Sequence, residues 1–377
     1  MNTETLTLNS SQDFLSGVLR RAGIVVNGKA RSDIQVHNSK FYSRVLAQGS
    51  LGLGESYMEG WWDCEDLSQF FFLLLRARLD EEVNPMAFFI QALRSKVLSL
   101  PSRSDPFKIG VFHYDLDDEL YRSMLDKNMI YTCGYWKDAK TLEEAQEKKL
   151  QLVCDKLSIK PGMRILDIGC GWGGFLKYCA EKYQIQGVGV TVSEEQVSVA
   201  RKNCEGLDVQ ILLQDYREVT GSFDRIVSLG MFEHVGRKSY RTFFDKSASL
   251  LADEGLFLLH TIGTNKTESG TDPWIERYIF PNSMIPSIAQ IGESMEDFFV
   301  MEDWHNFGTD YDKTLLAWFE NFDNNWPAIS GSFEKTFYRK WKYYLLSCAG
   351  AFRARRTQLW QIVLSKKGVL QGYSSIR

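Results

Sequence analysis

The stretch Arg164-Ile165-Leu166-Asp167-Ile168-Gly169-Cys170-Gly171-Trp172-Gly173-Gly174 decides the fold. Its first five residues form a short, mostly apolar run that suits a buried parallel strand. A glycine cluster follows, and a helix-like stretch continues to Tyr183. Glycines there let the backbone approach a ligand closely, at the point where open α/β sheets bind ligands. A lone Gly-x-Gly is weak evidence, since a glycine turn can simply pack a helix on a strand. Asp167, on the strand and two positions before the first glycine, is a stronger sign. It offers a polar partner to the amino-acid part of S-adenosylmethionine.

Outward from this turn the same alternation continues. Strand-like runs cover 187–190, 209–213, 225–229 and 256–260, and Ser193-Glu194-Glu195-Gln196 has capping-box spacing at a helix start. Strands and helices alternating at this spacing predict a doubly wound, mostly parallel α/β sheet. A dinucleotide site would need an acid at the end of the second strand, about 20 residues on, for the ribose. That strand ends Val190-Thr191-Val192-Ser193, with no acid before Glu194. The nicotinamide reading is weakened, and the pattern also departs from many ordinary methyltransferases.

The chain has 377 residues, more than one core usually serves. Residues 1–100 read as a smaller N-terminal domain, 101–112 as a linker marked by Pro101-Ser102-Arg103-Ser104-Asp105-Pro106, and 113–377 as the catalytic domain. Lys and Arg number 44 and Asp and Glu 48, giving a net charge of −4. That excludes a globally basic nucleic-acid binder, whose affinity rests on many phosphate contacts. Hydrophobic residues at 44% and charged residues at 24% are ordinary for a globular chain. No apolar run approaches the ~20 residues needed to span a bilayer. The polar N-terminus, the odd count of seven cysteines and the lack of any C-x-x-C pair predict reduced thiols in a cytoplasmic protein. The five histidines are scattered, so no zinc site and no metal is expected.

At this point the residues match a known family. Residues 162–196 resemble cyclopropane-fatty-acid-phospholipid synthases. So do Tyr131-Thr132-Cys133-Gly134-Tyr135-Trp136, Gly230-Met231-Phe232-Glu233-His234-Val235-Gly236, His260-Thr261-Ile262-Gly263 and Tyr311-Asp312-Lys313-Thr314-Leu315-Leu316-Ala317-Trp318. Gly52-Leu53-Gly54-Glu55-Ser56-Tyr57-Met58-Glu59-Gly60-Trp61-Trp62 is similar to the bacterial two-domain form, so the likeness covers nearly the whole chain. Together the motifs are highly specific, and singly they are not.

The resemblance implies a Rossmann-like methyltransferase sheet with a helical cover over an acyl pocket. It implies transfer of a methylene from S-adenosylmethionine across a cis double bond of a phospholipid acyl chain. It also implies a bound bicarbonate acting as base, held by Cys133, Glu233, His260, Ile262 through its backbone, and Tyr311. The cofactor contacts map to Tyr131, Thr132, Gly169, Gly171, Thr191 and Gln196, with Asp167, Gly173, Asp215 and Tyr216 as further candidates. Thr132 stands where relatives often carry serine, and the hydroxyl survives. Gln196 has a competing local role in the capping box.

The chemistry suits such a set. An alkene attacks a sulfonium methyl without prior deprotonation, and one proton must then leave before a ring closes. A positioned base is worth ~10²–10⁴ in rate. Water must be kept away from the cation, which gives the 13% of aromatic residues a use. Bland readings stand beside these. His260 could be a satisfied core histidine, Glu233 a helix-start acid and Cys133 a small buried hydrophobe, and His113, His234 and His305 receive no functional role. Several of the candidates fall at predicted strand ends, on the face where such sheets bind ligands, which favours the joint reading.

The substrate would already lie in a bilayer. Moving a dozen CH₂ groups into water costs roughly 10 kcal/mol, so peripheral contact with the inner face of the cytoplasmic membrane is expected. Residues 86–100, basic and apolar at helical spacing, are one candidate for that contact. The acid-free tail after Cys348, with Arg353, Arg355, Arg356, Lys366, Lys367 and Arg377, is another. A packing helix and a final strand at 358–364 flanked by surface cations are the respective alternatives. A homodimer is implied by the resemblance. Competing functions are a methyltransferase acting at O or N, a binding module without turnover, and a nicotinamide enzyme. Wide separation of Cys133, Glu233, His260 and Tyr311 would favour the first.

Overall fold

The computed structural model describes residues 3–81 and 118–377. The basic 86–100 stretch, the 101–112 linker and His113 lie outside the described residues. The chain divides into two compact units. One comprises residues 1–102, 268–281 and 315–357, and the other 103–267, 282–314 and 358–377. This differs from the division expected at residue 113. Segments 268–281 and 315–357 go with the N-terminal unit for a packing reason. Gly350, on the Phe337–Arg353 helix, lies so close to the Leu67–Arg76 helix that a Cβ there would meet Phe71 Cβ at 2.6 Å and Ser68 O at 2.7 Å. Tyr343 adds an edge contact with the Phe71 ring at 5.2 Å. The fully buried Trp274 fits against Gly54, which has no side chain to oppose it.

The second unit carries a seven-stranded sheet. In chain order its strands are β3 (Arg164–Ile168), β4 (Gln186–Thr191), β5 (Val209–Leu213), β6 (Phe223–Leu229), β7 (Leu251–Gly263), β8 (Val300–Asn306) and β9 (Gln358–Ser365). The short pair β1 (Ile34–Val36) and β2 (Trp62–Cys64) belongs to the first unit. Across the sheet the order is β5-β4-β3-β6-β7-β9-β8. The pairs from β5 through β7 are parallel, and β9 runs antiparallel to both β7 and β8. The expected doubly wound, mostly parallel sheet is therefore present.

Both faces are buried, as in a mostly parallel sheet covered on both sides, and successive side chains point to opposite layers. Leu166, Ile168, Ile226, Phe257, Leu259, Ile362 and Leu364 pack into one apolar layer. Ile165, Val227, Leu258 and Val363 pack into the layer opposite. Asp167, His260 and Gln361 follow the parity of this second group, so they are polar positions within an apolar face. Strand order reverses at β3/β6, which places the glycine turn after β3 at the switch point.

The tail differs from a free basic segment. Lys366 and Lys367 reach Asp253 at 3.4 and 2.8 Å, and Arg356 pairs with Asp80 at 2.8 Å. Arg377 holds Asp303 with two bonds of 2.5 and 2.6 Å. The residues expected as a final strand are the buried β9.

Candidate active site

The glycine turn forms because glycine alone tolerates its backbone. Gly169 has φ +85°, and a Cβ there would meet Met231 Cβ at 2.6 Å. Its N–H and that of Cys170 both donate to Val190 O, at 2.9 and 3.1 Å. This folds the turn back over the end of β4. A cavity of about 220 Å³ opens above it. Its walls include Tyr131, Thr132, Asp167, Gly169, Gly171, Thr191, Gln196, Asp215 and Tyr216.

Nine of the ten candidate cofactor residues thus line one cavity. Gly173 is the exception. A Cβ there would meet Cys204 Sγ at 3.1 Å and Ala200 Cβ at 3.3 Å, so its place is the close packing of two helices. Gln196 resolves its competing roles. Ser193 caps the Glu194–Asn203 helix through Gln196 N–H. The Gln196 side chain instead accepts from Thr191 Oγ1 at 2.8 Å. Half the capping box forms, and the amide is held at the cavity wall. Asp215 is braced by Arg217, whose guanidinium donates to both carboxylate oxygens at 3.0 and 2.6 Å.

The second group of candidates is assembled by strand register and one helical turn. His260 and Ile262 are alternate residues of β7 and so share a face. Glu233, on the turn after β6, accepts the Ile262 N–H on Oε1 at 2.7 Å. That amide, which the resemblance assigns to bicarbonate, has the Glu233 carboxylate as its partner here. Glu233 Oε2 and His260 Nε2 are buried and have no hydrogen-bond partner among the described residues. The Gln361 amide, opposite His260 in the β7/β9 register, lies 3.3 Å from His260 Nδ1. As donor there, it leaves the imidazole proton on Nε2. Burial holds His260 neutral and pushes Glu233 up to about 7, against the hydrogen bond from Ile262.

Cys133 is fully buried, and burial raises its thiol well above the ordinary value, so it stays protonated. Its sulfur lies 3.8 Å from Thr314 Oγ1. Thr314 stands one turn beyond Tyr311 on the Thr309–Ile329 helix. The same hydroxyl receives the Gly134 N–H at 3.1 Å and Trp136 Nε1 at 2.9 Å. Cys133 and Tyr311 are thereby brought to one locus. Phe307 lies edge-on to His260 with ring centres 5.9 Å apart, and Tyr135 packs against Phe307 at 5.3 Å. One aromatic ring therefore flanks the histidine, with a second packed against the first.

His234 and Lys149 are among the cavity residues that the sequence reading left without a role. His234 lines the cavity, and burial lowers it to about 4, so it is neutral. Lys149 also lines it, with its side chain wholly buried. Helical periodicity carried a signal for the lysine. Leu142, Ala145, Gln146, Lys149, Leu150, Val153 and Lys156 are all buried on the Leu142–Lys156 helix, at spacings of three and four. His305 keeps its structural reading, because its Nδ1 is 3.1 Å from the buried Lys156 ammonium.

Residues 102–362 match the family model described as mycolic acid cyclopropane synthetase. The cyclopropane-fatty-acyl-phospholipid synthase of Escherichia coli K12 is 54% identical over 357 residues, covering 94% of this chain and 93% of that protein. The chain belongs to this family. Its members act as S-adenosylmethionine-dependent methyltransferases, and this chain is such an enzyme. The cyclopropane synthase MmaA2 of Mycobacterium tuberculosis has the same architecture, with a TM-score of 0.65 at 30% identity. That match spans 69% of this chain and 98% of MmaA2. The mycolic acid cyclopropane synthase CmaA1, solved with SAH and CTAB, matches at TM-score 0.64 and 31% identity over 69% of this chain and 98% of its own.

Proposed function

We propose that this enzyme cyclopropanates cis-unsaturated acyl chains of membrane phospholipids through a carbocation whose proton leaves to a bicarbonate-bearing site. One observation carries this reading. Glu233 Oε2 and His260 Nε2 are an acceptor and a donor, both buried and both without a partner among the described residues. A small oxyacid with one hydroxyl and anionic oxygens satisfies such a set, giving its hydroxyl hydrogen to Glu233 and accepting from His260. Cys133 and Tyr311 are the further contacts this reading assigns to the bound oxyacid. Bicarbonate bound there would supply the base.

The chain's own residues do the rest. The glycine turn, Thr191 and Gln196 orient S-adenosylmethionine. The alkene attacks the sulfonium methyl carbon, the C–S bond breaks, and S-adenosylhomocysteine is released. One proton leaves the new methyl group and the ring closes, so the chain gains a single CH₂. Phe307, edge-on to His260, and Tyr135, packed against Phe307, help to keep water from the cation. Loss of one preorganised donor in such a site costs ~3–4 kcal/mol of barrier.

The reading includes peripheral contact with the cytoplasmic face of the membrane and a homodimeric state. Among the described residues no helix is long and apolar enough to cross a membrane, and the cost of exposing an acyl chain to water favours direct uptake from the bilayer.

The test uses purified protein, S-adenosylmethionine and vesicles of cis-unsaturated phospholipid, with the acyl chains followed by mass spectrometry. Gain of one CH₂ in ring-bearing chains, weakened when bicarbonate is depleted, is expected. Protein that binds S-adenosylhomocysteine and leaves the chains unchanged would overturn the reaction while leaving the fold intact. Turnover indifferent to bicarbonate would overturn the base.

A further inference from the structure

We propose that Lys149 binds the carboxylate of the co-substrate's amino-acid end, working with Asp167 as a two-charge receptor for that zwitterion. The inference rests on assigning the cavity to S-adenosylmethionine, and it names the atoms that grip one end of that molecule.

Both side chains line the cavity. Lys149 is 0% exposed and Asp167 is 2% exposed. The lysine Nζ donates to Thr132 Oγ1 at 2.9 Å, which leaves two ammonium hydrogens. Asp167 Oδ1 has no hydrogen-bond partner among the described residues. The two form no ion pair with each other, and Lys149 forms none with any described carboxylate. A wholly buried ammonium without a carboxylate against it is strongly disfavoured in a folded chain. Burial acts on both charges, lowering Lys149 to about 8 and raising Asp167 to about 7.

Asp126, whose charge also acts on Lys149, makes no ion pair with it. Its two oxygens accept the Asn128 and Ile130 N–H groups, each at 2.9 Å. A structural lysine would close onto a fixed acid, as Lys156 does with Asp303 at 3.6 Å in the same helix. Lys149 instead faces the cavity beside an unsatisfied carboxylate. An α-amino acid carries the matching pair of charges, with its carboxylate for Lys149 and its ammonium for Asp167. A cation is also unsuited to neighbour a sulfonium, so Lys149 favours the orientation that turns the sulfonium away from it.

Binding separates this from a packing role. Three ligands are titrated by calorimetry. They are S-adenosylhomocysteine, its decarboxylated aminopropyl analogue, and methylthioadenosine, which lacks the amino-acid end. Wild type is expected to prefer S-adenosylhomocysteine over the decarboxylated analogue. In Lys149→Met the affinity for S-adenosylhomocysteine falls ~10- to 100-fold, as for loss of a charged hydrogen bond. The other two ligands bind the variant as they bind wild type. Lys149→Arg, which keeps the charge, retains part of the preference. Equal weakening of all three ligands would reduce the lysine to packing and overturn the proposal. So would a wild type that shows no preference, or a variant that keeps its S-adenosylhomocysteine affinity but needs more bicarbonate for turnover. Failure of every ligand to bind wild type would instead remove the cavity's assignment itself.

Discussion

Replacing Glu233 by glutamine should make the protein more stable and less active, and the gain should depend on pH. The carboxyl is buried, and burial raises it from 4.5 to about 7, while the Ile262 hydrogen bond only partly offsets that rise. A carboxyl raised by folding supports the fold fully below its unfolded value. That support is lost as pH climbs from about 4.5 to about 7, and the loss is constant above. At about 1.4 kcal/mol per pH unit, the raised carboxyl costs the fold roughly 3 kcal/mol above pH 8, where it is ionised, and about 1 kcal/mol near pH 5.5, where only the unfolded chain ionises it. Glutamine has nearly the same shape, can still accept from Ile262, and never ionises. Urea unfolding of both proteins at pH 5.5 and 8.5 should show Glu233→Gln ahead by those amounts. Its kcat should fall by ~10²–10³, because an amide nitrogen replaces the acceptor at Oε2. A stability difference that does not vary with pH, or a variant less stable at pH 8.5, would refute the account of a carboxylate kept charged against its surroundings.

Gln361 is a positioning residue, since it reaches the reaction only through His260 Nδ1. Gln361→Leu removes the group that keeps the imidazole proton on Nε2, so the bicarbonate concentration for half-maximal rate should rise about tenfold with affinity for S-adenosylhomocysteine unchanged. Kinetics with bicarbonate varied, alongside calorimetry, read the two separately. Asp303→Asn should lower stability by ~3–5 kcal/mol at pH 7, because it leaves the buried Lys156 facing a neutral amide. Although burial alone would raise it, the Arg377 guanidinium holds Asp303 below the usual carboxylate range. The loss should therefore shrink as pH falls through that depressed value, as thermal unfolding across the acid range would report.

What the sequence revealed of the site divides by how each part is built. Part of the cofactor wall is local, namely Asp167, Gly169, Gly171, Thr191 and Gln196, while Tyr131, Thr132, Asp215 and Tyr216 come from outside that stretch. A strand, a glycine turn and the start of the next helix lie within 35 residues, and glycine identities reflect backbone requirements directly, as Gly169 shows. Gly173 shows a second kind of backbone requirement, close packing. A glycine that admits a ligand and one that admits a neighbouring helix look alike until Cys204 and Ala200 are seen against it. Lys149 escaped notice because nothing in its own identity marks it as buried, and only the phase of the apolar residues around it tells that it turns inward. The unit division escaped for a related reason. Prolines mark where a chain turns, whereas the contact at Gly350 that draws the 315–357 segment to the Leu67–Arg76 helix leaves no mark beyond one small residue.

The other half of the site is non-local, and only resemblance to a family brought its members together. Cys133 touches Thr314, one turn beyond Tyr311 on the same helix. Glu233 reaches Ile262 only because β7 runs parallel to β6 and sets Leu229 opposite His260. Gln361 faces His260 because the last strand in sequence inserts between β7 and β8, an order that hydrophobic pattern does not encode. A catalytic group fixed by strand register tolerates little. A one-residue slip of β9 would exchange Gln361 for Trp360 or Ile362 and turn every side chain of the strand to the opposite face. Eight consecutive buried residues from Gln358 to Ser365 hold that register. The apolar core, which carries no chemistry itself, is therefore what keeps the imidazole proton on the nitrogen that faces the reaction.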